Sequence, residues 1–448
     1  MIVEDASGYR GHADLLFTPA SEAELLDVLR RATAERVPVT VAGAGTGVTG
    51  GRVSSGGWLL SLDRLNRLDI ARGHAVVGPA VLLRDLHAAA AATRQFYAPD
   101  PTETAASLGG TFATNASGSR SFRYGDTRRH VLRLRVALMD GSVLDVRRGD
   151  AIDFPVPALR LPDTTKHTAG YPLRPGMDWI DLFVGSEGTL GVILEAGARL
   201  LPAPAELLSG VVFFPDDDRA IDAVEAWRFH DPPRMLEYLD EASLGLLRSR
   251  YPEIPAAARA ALLIEDDRPA DPWHDRIDSS GALLDDSWFG TSAGDRERFR
   301  RFRHSLPELV NDRVRRRGFM KFGSDYAVPL DRNRDMLRTY HQVLSRDFAG
   351  SFVLFGHIGD AHLHANILPS NDDDCRRAAE AMRELARHAV AFGGTVSAEH
   401  GLGKRKAHLL ELQYSRHEME AMMDVKRRLD PKWLLGRDTL FSVPKEFQ

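Results

Sequence analysis

The chain has 448 residues, too many for one ordinary core, so two or three domains are expected. With 43% hydrophobic and 27% charged residues it has the balance of a soluble globular protein, and a net charge of -5 gives no basic footprint for nucleic acid. The single cysteine, Cys375, excludes a disulfide framework within the chain and fits a reducing cytoplasm; beside "NDDD" it is expected to be exposed.

The first residues, "MIVEDASGYRGHADLLFTP", lack the basic-then-apolar order of a signal peptide. No uncharged apolar run reaches membrane-spanning length, which leaves only peripheral attachment, at the inner membrane face, as a membrane association. Residues 21–36 carry helical periodicity behind a Ser21…Glu24 capping box. "VPVTVAGAG" (37–45) reads as a short buried strand running into glycines. Strands and a helix follow to residue 92, and "VLRLRVALMDGSVLDV" (131–146) reads as a hairpin turning at Asp140-Gly141.

Three glycine-rich loops interrupt this region. "AGAGTGVTGG" (42–51) follows a strand and can bring bare backbone N–H groups against phosphate oxygens. No helix follows it, which argues against a Rossmann loop and leaves a glycine hairpin as the plain alternative. "PDPTETAASLGGTFATNASGSRSFRYGD" (99–126) is too polar for a core and too uncharged for a solvated coil, and suits a buried ligand. In "DLFVGSEGTLGVILEAGARLLP" (181–202), two strand-like runs flank Gly185–Gly191.

A linker is expected at "LLPAP" (200–204). Beyond it lie a strand at 207–216 and helices at 218–230, 331–348, 372–394 and 415–431. The basic runs at 300–305 and 313–318 read as solvated helix faces. "SFVLFGHIGDAHLHANILP" (351–369) reads as a hairpin with Gly359-Asp360 as its two turn residues. That register sets His357 opposite His362 and puts His362, His364 and Asn366 on its face. Two such imidazoles suit a divalent metal if a carboxylate joins them, and "TVSAEHGLGK" (395–404) offers Glu399 beside His400. Arg303 and Lys321 are candidate cations for a ligand carboxylate, and Asn366 could donate to one.

In order and spacing, "AGAGTGVTGG", "PDPTETAASLGGTFATNASG", "DLFVGSEGTLGVI", "GHIGDAHLHANI" and "SAEHGLGKRK" resemble the FAD-linked oxidases of the vanillyl-alcohol oxidase type, and cover nearly the whole chain. Within that type the chain most resembles the D-2-hydroxy acid dehydrogenases, which act on D-lactate, glycolate or D-2-hydroxyglutarate. The resemblance implies an α+β protein: a two-subdomain FAD-binding domain (1–203), an inserted α+β cap (204–395) and a returning C-terminal segment (396–448). It implies pyrophosphate contacts from Gly43, Ala44, Gly45, Thr46, Gly47, Thr49, Gly50 and Gly51. Pro99, Thr102, Ser107, Gly109, Gly110, Asn115, Ser117 and Gly118 would line the flavin, with Glu187, Gly188 and Val192 at the adenosine end or the ring. Lys166 and Tyr171 in "KHTAGYPL" would help form the pocket.

It further implies His357, His364 and Glu399 as ligands of Zn, Mn or Fe, His400 as the base, and hydride transfer from the substrate to flavin N5. Electrons would leave to electron-transfer flavoprotein, quinone, cytochrome or oxygen, and a homodimer is compatible with the pattern. The chain departs from the family at Ala42 (often Arg), at "LLGRDT" (434–439; often an Asn-Pro-Gly turn) and at His362 (usually Asn). The competing readings are another FAD-linked oxidase or ether-lipid-synthase-type enzyme, a flavoprotein subunit that needs a partner, and a flavin-free metal-dependent hydrolase.

Overall fold

The computed structural model describes residues 1–229, 232–268 and 271–447. Near the N-terminus, Leu15–Phe17, Trp58–Ser61 and Val39–Ala42 form a parallel three-stranded sheet in that order. The helix Glu22–Glu35 lays Leu25, Leu29 and Ala32 into one core with Val39, Trp58 and Leu60. Ser21 caps it by accepting the Glu24 N–H, but Glu24 reaches the Ala20 N–H, so the reciprocal half of the box is shifted by one residue. The first glycine loop leaves Val39–Ala42 and turns into Trp58–Ser61 without a helix.

A five-stranded antiparallel sheet follows, ordered Val143–Arg147, Val131–Ala137, Val192–Arg199, His74–Val77, Leu68–Ala71. The hairpin at 131–146 forms, with Gly141 at φ +80 in its turn. The run at 181–184 is not a strand. It belongs to the helix Trp179–Phe183, because Asp178 accepts the Asp181 N–H and caps a turn there. The 200–204 stretch is not a free linker either, since Leu201–Pro202 pairs with Gln95–Phe96.

The largest sheet has eight antiparallel strands: Trp288–Gly290, Leu208–Phe214, Ala260–Asp266, Met235–Leu239, Phe352–His357, His362–Ile367 and Phe322–Gly323 in order, with Tyr326–Ala327 also paired to His362–Ile367. Helices cover both faces, so Leu208–Phe214 is buried along its whole length. Val211 and Phe213 pack with Phe299, Phe302 and Leu306 of the helix Ala293–Arg316. Val212 and Phe214 turn the other way, toward Ala220 and Val224 of Asp217–Phe229. Full burial of one such side chain contributes roughly 1.5–3 kcal/mol. The helix expected at 218–230 is this last one; residue 230 lies outside the described residues.

Three further long helices are Asn333–Phe348, Asp372–Ala391 and Arg416–Leu429. Cys375 sits in the first turn of Asp372–Ala391 and is half-buried, not exposed. Among the described residues no helix is long and apolar enough to cross a membrane. The C-terminal stretch returns to the first sheet: the Val39 N–H donates to Leu434 O and the Gly436 N–H to Val39 O, both at 2.8 Å. Gly403, at φ +54, lies so close to the first glycine loop that a Cβ would stand 2.1 Å from Thr49 O.

Candidate active site

The hairpin pairs as its side-chain period demands: His357 faces His362 and Phe355 faces His364. Its turn is longer than two residues. Ile358–Asp360 form a 3-10 turn closed by Ala361 at φ +50, and the register is kept because two residues are added symmetrically. The ring centres of His357, His362 and His364 stand 4.4–5.4 Å apart.

Glu399 reaches this cluster from a loop held by Asp325. The Asp325 carboxylate accepts the Ser397 hydroxyl at 2.8 Å and the Ala398 and His400 N–H groups at 3.1 and 2.9 Å. Burial opposes its ionisation, but the His400 and His362 imidazoles hold it far below the usual carboxylate range. The two oxygens of Glu399 face different ways. Oε1 lies 3.2 Å from His357 Nε2 and 3.3 Å from His364 Nε2. Oε2 accepts Lys166 Nζ at 3.0 Å and Ser117 Oγ at 2.8 Å. Burial works against this carboxylate as well; Lys166 and then His357 hold it well below the usual range.

Acceptors behind the imidazoles fix their orientation. His357 Nδ1 meets Glu237, whose other oxygen accepts Arg303 Nε at 2.8 Å. His364 Nδ1 lies 3.2 Å from Ser324 O. Burial lowers His357, but Glu237 outweighs it and brings the ring up to about 9. His400 stacks on His364 at 5.4 Å and 17°, with Nδ1 3.5 Å from Asp325 Oδ1. One third of its side chain stays open, and burial of the rest pushes it down to about 4 against the pull of Asp325.

His357, His362, His364 and Glu399 each offer a ligand atom, all within 4.8 Å of one another. Both ring nitrogens of the buried His362 lack a hydrogen-bond partner. Nitrogen and carboxylate donors converging on one point, with orphaned nitrogen among them, fit a divalent ion of the Zn, Mn or Fe kind.

His364 and Glu399 of this cluster, with His400, line a cavity of about 930 Å³. Gly43, Ala44, Gly45, Thr46, Gly47, Thr49 and Gly51 of the first loop line it, as do Thr102, Ser107, Gly109, Gly110, Ser117, Glu187, Gly188 and Val192. Gly50, Pro99, Asn115 and Gly118 do not line it. A Cβ on Gly47 or Gly51 would touch no protein atom, so bare backbone faces the space, as a diphosphate-bearing cofactor requires. Glu187, at φ +54, accepts the Leu402 and Gly403 N–H groups, and burial pushes it up to about 7.

Lys321, Asn366, His364, Glu399 and His400 also reach the cavity, while Arg303 and His357 do not. Arg303 is 14% exposed and paired with Glu237, behind His357, and does not line the cavity. Lys321 has Lys406 as a neighbour; burial, then this second cation, brings its ammonium down to about 8. Tyr171 lies behind the wall, bonded to Thr189. Sequence reasoning did not find Asp325, Glu237 or Lys406. Asp325 and Lys406 lie four and six residues beyond Lys321 and His400, the candidates that the sequence did offer.

Residues 13–147 match the family described as FAD binding domain, and residues 203–439 match FAD linked oxidases, C-terminal domain. The chain is 29% identical over 97% of its length to glycolate oxidase subunit GlcD of Bacillus subtilis, covering 90% of that protein. It is 28% identical to D-lactate dehydrogenase of Anaerostipes hadrus, covering 95% of this chain and 89% of that one. Among solved structures, an alkyldihydroxyacetonephosphate synthase superposes with a TM-score of 0.69 at 17% identity, over 94% of this chain and 76% of that one. At that identity the likeness speaks for the fold alone, the two-domain FAD-oxidase fold of mixed helices and sheets.

Proposed function

The chain belongs to the FAD-linked oxidases, and on that premise we propose that it oxidises a D-2-hydroxy acid to the 2-oxo acid. The observation that carries the reading is the meeting of His364, Glu399 and His400 at the wall of the glycine-lined cavity, with His357 directly behind on Glu399. When bound, FAD supplies the acceptor of the hydride that leaves the substrate carbon, and a divalent ion supplies Lewis acidity that eases loss of the hydroxyl proton. His357, His364 and Glu399 would hold the ion, and the first glycine loop the FAD diphosphate.

The residues of the chain do the rest. His400 opens onto the cavity and takes the hydroxyl proton, with Asp325 behind its Nδ1 to hold the ring. Lys321 and Asn366 take the substrate carboxylate, and Arg303 supports Glu237 and through it His357. The domain limits expected from the sequence, a cytoplasmic or peripheral membrane location and an electron-transfer flavoprotein, quinone or cytochrome acceptor belong to the same proposal.

The test is anaerobic mixing of the purified, metal-supplied flavoprotein with D-lactate, glycolate and D-2-hydroxyglutarate. At least one should bleach the flavin; failure of every 2-hydroxy acid in a wider panel sinks the reading. Lys321 adds a pH signature. Its ammonium is present below about 8 and lost above it, so kcat/KM should fall as pH rises through that value. Lys321→Met should cost roughly 10–100-fold in KM, the worth of one charged hydrogen bond, and should remove the alkaline limb. A limb that survives in the variant assigns it to another group.

A further inference from the structure

His362 is the histidine that the proposed reaction leaves unused. It is fully buried, opposite His357 in the hairpin. A buried ring nitrogen without a partner has given up its hydrogen bond to water for nothing. In His362 both nitrogens are in that state. Asp325 Oδ1 approaches Nε2 to 3.1 Å but stands out of line for a hydrogen bond. The ring centre is 4.4 Å from that of His364 and 5.3 Å from that of His357. One of its nitrogens lies within 4.8 Å of the ligand atoms of His357, His364 and Glu399.

The geometry points to His362 as a third imidazole ligand of the divalent ion, giving a site of three histidines and one glutamate. This rests on the ion of the proposed function and goes beyond it in ligand number and in ion class. Metal-bound imidazoles turn their second nitrogen to an acceptor, as His357 does to Glu237 and His364 to Ser324 O. Asp325 Oδ1, 3.1 Å from His362 Nε2, offers that acceptor once the ring turns into line. Four protein ligands fill a tetrahedral ion and leave it no position for substrate. A site of this kind that also takes a hydroxy acid needs an ion at ease with five or six ligands, such as Mn²⁺ or Fe²⁺, in preference to a four-coordinate Zn²⁺.

The alternative is that His362 only donates to Asp325, and glutamine could do that too. The experiment therefore strips the flavoprotein of metal and titrates it with Co²⁺ and with Mn²⁺ alone, in the wild type, His362→Gln and His362→Ala. The expected result is one ion per wild-type chain and at least ~100-fold weaker binding in both variants, beyond the ~10–100-fold cost of losing an outer partner. The Co²⁺ absorption should change shape in both, while flavin content stays the same. X-ray absorption of the Co²⁺-loaded wild type, which needs no variant to fold, should count three imidazoles. Two imidazoles, or His362→Gln binding with unchanged affinity and spectrum, overturns the inference and leaves the ion reading intact. A flavin-replete wild type that binds neither ion overturns both.

Discussion

Replacing His400 by asparagine is expected to slow anaerobic flavin reduction by a 2-hydroxy acid about 10²–10⁴-fold, the range that a positioned base supplies. FAD content should not change. The loop around residue 400 is held through main-chain N–H groups and the Ser397 hydroxyl on Asp325, none of which the substitution removes. The ring itself touches the cavity, stacks on His364 and is one-third open, so its loss acts on chemistry more than on folding. Glutamine at 400 should be no better than asparagine, because neither amide accepts a proton near neutral pH. Stopped-flow reduction of the two variants at saturating substrate checks this. A fall of less than tenfold would move the base elsewhere.

What the sequence revealed of this site follows from how each part is encoded. The hairpin was legible because strand side chains alternate with a fixed period, so His357 and His362 could be paired and His364 placed beside them before any coordinates. Its turn was not, because Ala361 takes a left-handed conformation that no residue preference announces. The glycine loops were legible as backbone at a cavity, which most of the named residues line and Gly50 and Gly118 do not.

Groups that act across the fold were hidden. Glu237 is one polar residue in the buried strand Met235–Leu239, and only the sheet order brings it to His357 and Arg303. Asp325 lies between two strands of two residues each, too short for any period to show, yet it organises the 397–400 loop. Arg303 reads as one more residue of a basic helix, and its partner is 66 positions away. The run at 181–184 misled for a local reason: a cap by Asp178 outweighs its apolar, strand-like composition.

Lys166→Met should cost about 3–5 kcal/mol of stability, the loss expected when one partner of a buried ion group is removed and the others stay. The ammonium has no exposed side-chain surface, and it stands 3.0 Å from Glu399 Oε2, 3.5 Å from Asp360 Oδ2 and 3.1 Å from Gly118 O. Burial alone would lower Lys166; Glu399 and then Asp360 outweigh it and raise it above the ordinary lysine value. Methionine fills much the same volume, so cavity formation is a small part of the loss. The cost comes from two carboxylates left in the interior. Asp360 is then held by Ser121 Oγ at 2.8 Å, with its Oδ1 already unpartnered, and Glu399 keeps Ser117 and the imidazoles. Adding Asp360→Asn removes one of the two uncompensated charges, so the double variant should be more stable than Lys166→Met alone, a favourable coupling between neighbours. Denaturant midpoints of the flavoprotein, followed by flavin release and by circular dichroism, measure both. If the double variant loses the sum of the two single losses, Lys166 does not act by neutralising Asp360, and its role reduces to holding Glu399.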